Sequence, residues 1–127
     1  MINVVLDTNV LVSALWTPQG NAAKIVKLMP ETILPCFDYH IFQEYRAVLA
    51  RPKLRFSNYI TEGILNHIEY CGMCVLAPPS RIQLPDETDR KFYDVAKMCG
   101  AYLITGNLKH FPREPFIVAP AEFLRKI

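Results

Sequence analysis

The sequence predicts an α/β domain built on a largely parallel sheet. Three observations carry that expectation. Short uninterrupted apolar runs such as Val4-Val5-Leu6 suit strands covered on both faces, because a half-exposed strand would alternate apolar with polar residues. These runs alternate along the chain with segments of helical periodicity, the pattern of successive strand–helix units. The runs also stop at polar turns, at Asp7 near the start and at Thr105-Gly106-Asn107 near the end. Ligands of open α/β sheets bind beyond such carboxyl ends.

Each element follows from local chemistry. Residues 2–6 read as the first strand. Asn21 to Met29 reads as a helix stopped by Pro30. Thr32 to Phe37 is a second strand, and Asp38 is placed to cap the helix that follows. That helix runs to about Ala50, with Ile41, Phe42, Tyr45, Val48 and Leu49 at helical spacing, and Arg51-Pro52 ends it. Ile60 to about Tyr70 is a further helix, weakened by Gly63. Met73 to Leu76 is a third strand, broken by Ala77-Pro78-Pro79-Ser80. Asp86 can cap a helix over roughly 87–99, which Gly100 ends in the C-terminal glycine position. Ala101 to Thr105 and Phe116 to Val118 are the fourth and fifth strands, and Ala121 to Arg125 closes as a helical turn or short helix.

The 127 residues, without a composition shift, repeat or low-complexity tract, fit one domain spanning 1–127. No apolar run approaches the roughly 20 residues of a membrane span. No basic segment precedes a long apolar one at the N-terminus, so the expectation is a cytoplasmic protein with no membrane partner. The net charge of +2 permits nucleic-acid binding without arguing for it. Arg46, Arg51, Lys53 and Arg55 form one basic group; Lys109, His110 and Arg113 form another. Solvated surface charge is the commoner reading of either group alone.

The four cysteines are not a disulfide framework. Cys36 and Cys99 sit in apolar stretches and read as small hydrophobes. Cys71-Gly72-Met73-Cys74 has CxxC spacing, but no second pair or His cluster completes a zinc site. It also joins a helix to a strand, the reverse of a thioredoxin-like turn. Buried free thiols are the expectation.

Among the 12 acidic residues, the informative ones stand where burial makes a carboxylate costly. Asp7 ends a buried strand, although a turn-forming aspartate is common there. Asp89 begins the stripe continued by Phe92, Ala96 and Cys99, whereas Asp94 lies nearly opposite and is expected to face water. Asp89 in a first turn would also complement the helix dipole, and could pair with Asp86 as a capping box. Glu44 flanks the stripe of Ile41, Tyr45 and Val48, a boundary position. Thr105 and Asn107 fall on the sheet edge that carries Asp7, where a plain turn is the commoner explanation. Taken together, Asp7, Glu44, Asp89 and the Asn107 turn make a set of hard oxygen donors. With no His or Cys among them, they suit Mg²⁺ or Mn²⁺ rather than zinc.

Five segments then carry a resemblance: Val5 to Leu15, Glu44 to Lys53, Asp86 to Phe92, Ala101 to Phe111, and Val118 to Leu124. In order and spacing they are similar to the PIN-domain family, specifically its small single-domain VapC-like branch of toxins in toxin–antitoxin systems. The resemblance implies a three-layer α/β/α sandwich around about five strands. It also implies an Mg²⁺- or Mn²⁺-dependent endoribonuclease leaving a 5′-phosphate and a 3′-hydroxyl. By position, Asp7, Glu44 and Asp89 match the core acidic residues that hold the metal. Thr8 or Asn9 would support Asp7, and Thr105 matches the polar residue ending strand four. Many relatives have Asp where this chain has Asn107, so a second metal would be held less tightly. Arg46, Arg51, Lys53, Lys109 and His110 are the candidate RNA contacts, positioning phosphates without reading sequence. A toxin role would add an antitoxin and a homodimer.

Two other readings stand beside the nuclease. A PIN module of little or no catalytic power could bind RNA or a protein partner, and Asn107 motivates this one. A phosphate-handling domain with Asp7 as nucleophile is the weakest, because no second Asp follows two residues later.

Overall fold

A computed structural model describes residues 1–127. Its five strands are β1 (Ile2–Leu6), β2 (Ile33–Phe37), β3 (Met73–Cys74), β4 (Tyr102–Ile104) and β5 (Ile117–Val118). All pairings are parallel, in the order β3-β2-β1-β4-β5. The expected α/β class and five-stranded parallel sheet are both present. Val4, Val5, Leu6, Leu103, Ile104 and Val118 are buried, as strands covered on both faces require.

Six helices complete three layers. They are α1 (Thr8–Trp16), α2 (Asn21–Val26), α3 (Tyr39–Leu49), α4 (Asn58–Cys71), α5 (Arg90–Cys99) and α6 (Pro120–Lys126). Helices α3, α4 and α5 pack together, with α5 against β1, β2 and β4; α1, α2 and α6 form the other group. Short 3₁₀ turns occupy Pro52–Leu54, Glu87–Asp89 and Leu108–His110. No helix is long and apolar enough to cross a membrane.

Most caps match the sequence reading. Asp38 accepts from the Ile41 amide at 2.7 Å, and Gly100 takes the left-handed conformation at φ 58°. Ser57 caps α4 from the Ile60 amide at 3.2 Å, so that helix begins at Asn58 rather than Ile60. Asp86 caps a 3₁₀ turn, and α-helical geometry starts only at Arg90. Helix α2 ends at Val26, short of Met29.

Helix α1 is the element the sequence did not disclose. Asp7 precedes it in extended conformation and makes no side-chain capping bond. The β-branched residues Thr8, Val10 and Val12 are weak helix formers. Burial of Thr8, Val10, Leu11 and Ala14 supplies the order instead.

Two expectations are corrected. Asp94 does not face water: it is 7% exposed. The connection from Val75 to Pro85 crosses the outer side of α5, and Ser80 donates its amide to Asp94 Oδ1 at 3.0 Å. Arg90 secures the same connection by donating to the Ser80 and Ile82 carbonyls at 2.9 and 2.6 Å. All four thiols are free, but only Cys36 is buried; Cys71 and Cys99 are half-buried and Cys74 is exposed on an edge strand. Between Cys71 and Cys74, a Cβ on Gly72 would meet the Ile68 and Pro35 carbonyl oxygens at 2.6 Å. The glycine is there for a close approach of α4 to β2.

Candidate functional site

β1 and β4 end in register, Leu6 beside Ile104. Their neighbours lie on opposite sides, so the strand order reverses between them, and a crevice opens at their carboxyl ends. Asp7 and Thr105 are the next residues. The Asp7 amide donates to the Ile104 carbonyl at 2.9 Å, which extends the β1–β4 pairing to the edge of a cavity of about 660 Å³.

Asp7 is buried, and its Oδ2 accepts from the Thr105 hydroxyl at 2.7 Å. Thr105 Oγ1 in turn accepts the Asn107 amide at 2.9 Å. A hydroxyl has one proton, so this arrangement aims it at Asp7. Asn9 ties the turn down by accepting from the Gly106 amide at 3.2 Å. Its amide nitrogen is a weak 3.5 Å contact to Asp7 Oδ2. Burial is the chief force pushing the Asp7 carboxyl up to about 6; the charges of Asp89 and Glu44 add to it, and bonds from Thr105 and the Thr8 main chain oppose it.

Glu44 reaches the cavity from α3. The next residue, Tyr45, is buried and donates its hydroxyl to the Leu6 carbonyl at 2.5 Å, fixing α3 to the end of β1. The Thr8 side chain serves Glu44 rather than Asp7, donating to its Oε2. Glu44 Oε1 pairs with Lys91 Nζ at 2.9 Å. Lys91 is only 17% exposed. Its ammonium also donates to the Thr88 carbonyl and lies 5.0 Å from the Phe92 ring centroid.

Asp89 ends the 3₁₀ turn before α5. Its Oδ2 is buried without a hydrogen-bond partner. His110 Nδ1 stands 3.5 Å away, within ion-pair range but long for a good hydrogen bond. Burial, more than the charges of Asp86 and Glu44, raises the Asp89 carboxyl, and His110 opposes the rise. Asp86 also lines the cavity, but the Thr88 amide and hydroxyl hold it at 2.9 and 2.8 Å and keep its carboxyl low.

The basic candidates separate. Arg51, Lys53 and His110 line this cavity, and neither Arg51 nor Lys53 has an acidic partner within 4.0 Å. Arg46 is paired with Glu62 at 2.7 Å and does not line the cavity. Lys109 and Arg113 line a different cavity, beside Phe111. Asn107 is exposed at the rim of the acidic cavity.

A divalent ion fits this donor set only in part. The hard oxygens suit Mg²⁺ or Mn²⁺, and a buried carboxylate oxygen without a partner is what a cation would satisfy. Yet no three His, Cys, Asp or Glu side chains are placed to hold a common ion. Both oxygens of Glu44 are also already engaged, by Thr8 and Lys91.

Lys91, Tyr45, Asp86 and Trp16 are cavity or support residues that the sequence reading did not assign to the site. Lys91 sits in a charged run, and nothing in its spacing sets it apart from a solvated face. Tyr45 was visible only as one position of an apolar stripe. Trp16 ends the helix that escaped detection.

Fold and site define a class: a parallel α/β domain with an acidic, oxygen-lined cavity where its strand order reverses. Residues 3–109 match the PIN domain. Over 110 residues the chain is 34% identical to the uncharacterized protein MJ1680 of Methanocaldococcus jannaschii, covering 84% of this chain and 71% of that protein. The chain belongs to the PIN-domain family. That membership supports a nucleic-acid-related function.

Proposed function

We propose that this protein is a PIN module that binds RNA across the cavity at the end of β1, with weak hydrolytic power in the arrangement described. The observation that carries this reading is the ion pair between Lys91 and Glu44 at 2.9 Å. It neutralises one of the three family-matched carboxylates with a side chain of the same domain. Arg51 and Lys53, free of acidic partners in the same cavity, supply charge for phosphates. His110 lines it as well. Such contacts position a strand without reading its sequence.

A second reading, an Mg²⁺- or Mn²⁺-dependent endoribonuclease, is favoured by the unpartnered Asp89 Oδ2 and the raised Asp7 carboxyl. Asp7 and Asp89 are the residues that would hold the ion, with Glu44 joining only on release from Lys91. The metal would supply Lewis acidity at a scissile phosphate. The finer toxin reading, with an antitoxin over the same groove, a homodimer and a cytoplasmic setting, rests on the sequence resemblance.

The test pairs binding with cleavage. Fluorescence anisotropy of labelled RNA in EDTA should show binding that weakens with salt. Incubation with Mg²⁺ or Mn²⁺ should then give little cleavage, for both wild type and Asp7→Asn. Rapid Mn²⁺-dependent cleavage lost in EDTA and in Asp7→Asn would establish the endoribonuclease instead. RNA that fails to bind would overturn the module reading.

A further inference from the structure

We propose that Trp16 is a stacking platform for an unpaired nucleobase of the bound RNA. This rests on the reading that the cavity binds RNA, and it names one residue of this chain that would hold the ligand.

Trp16 ends α1 and lines the same cavity as Asp7, Glu44 and Asp89, yet it is 60% exposed. A large indole left in water forgoes the burial that normally makes tryptophan a core residue. The ring is nonetheless held: Phe56, itself packed against the core, meets it edge-on with centroids 6.1 Å apart and planes at 60°. A fixed aromatic face loses little freedom when a ligand covers it. Val12, Val48 and Leu54 continue the apolar lining, while Arg51 and Lys53 bring unpaired positive charge to the same cavity.

An apolar plane beside free cations matches a nucleotide, which has a flat apolar face and an anionic phosphate. It matches an apolar protein segment less well, because such a segment would leave both cations without partners. Bases in a duplex are already stacked on one another, and only unpaired ones are free to stack on a side chain. The carboxylates of the cavity repel phosphate, which leaves the region of Arg51 and Lys53 as the favourable place for the backbone.

The protein carries one tryptophan, so its intrinsic fluorescence reports this position alone. The experiment titrates the full chain in EDTA with three probes: a short mixed-sequence single-stranded RNA, the same strand annealed to its complement, and an abasic ribose-phosphate strand of equal length. Tryptophan emission should be quenched by the single strand and left nearly unchanged by the other two. In anisotropy, Trp16→Ala should weaken single-strand binding about tenfold and erase the preference over the abasic strand. Trp16→Phe should retain most of both, and guards against a folding defect in the alanine variant. RNA that binds without changing tryptophan emission, or that binds wild type and Trp16→Ala equally, overturns this inference and leaves RNA binding intact. Absence of any RNA binding overturns both. An emission shift that follows protein concentration without RNA assigns Trp16 to a contact between copies and also overturns the proposal.

Discussion

The two sides of α5 treat carboxylates in opposite ways. On the outer side, Asp94 is buried but receives the Ser80 amide, and Arg90 one turn earlier binds the carbonyls of the same strap. On the cavity side, Asp89 has a buried oxygen with no hydrogen-bond partner, only His110 at 3.5 Å, and Asp7 is pushed up to about 6 by burial and neighbouring charge. The outer pair holds the chain together. The inner pair is held in place by the fold at a cost in stability.

The largest expected effect tests that cost. In the folded state the Asp7 pKa rises from 3.8 to about 6. Between these values the native protein binds more protons than the unfolded chain, so stability falls as pH rises through that window and stays low above it. Asp7→Asn removes the charge and keeps an acceptor for Thr105. It should stabilise the metal-free protein at pH 7 by up to about 3 kcal/mol, with the gain vanishing below pH 4. Urea unfolding across pH checks this; a destabilised variant at pH 7 would show that the Asp7 charge supports the fold.

On the outer side the sign reverses. Asp94→Ala leaves the Ser80 amide without its acceptor and should cost about 1–3 kcal/mol at pH 7 in the same urea experiment. Asp89→Asn, five residues earlier, should cost nothing or stabilise. Equal losses in both variants would erase the distinction between the two sides.

Lys91→Met frees Glu44 from its ion pair. Mn²⁺ affinity measured by calorimetry should rise by roughly tenfold or less, since an ion pair of this kind is worth about 1 kcal/mol. An unchanged affinity would show that Lys91 does not compete for Glu44. The smallest effect belongs to the free cations. Arg51→Ala and Lys53→Ala should each lower the slope of log affinity for single-stranded RNA against log salt by about 0.7, whereas Arg46→Ala, already paired with Glu62, should leave it unchanged.

The sheet was legible because strands buried on both faces are written as unbroken apolar runs. Asp7 and Thr105 stood out because each ends such a run. The rest was hidden for specific reasons. Helix α1 has Asp7 at its N-cap but no side-chain capping bond, and weak formers in its first turns. The burial of Asp94 comes from an irregular strap, and a helical wheel sees only the side facing the sheet. The pairing of Lys91 with Glu44 joins distant segments through side chains that surface composition would leave in water. Asn107 drew notice as a missing charge, but what it contributes here is its main-chain amide, which orients Thr105.

The central place of β1 has a consequence for synthesis. Within this sheet β1 is synthesised first yet lies in the middle, and Asp7 meets Thr105 across 98 residues of sequence. Until β4 exists, the Asp7 carboxylate has neither its hydroxyl partner nor the second wall of its crevice. The crevice around Asp7 is therefore assembled only after β4 has been made and has docked beside β1.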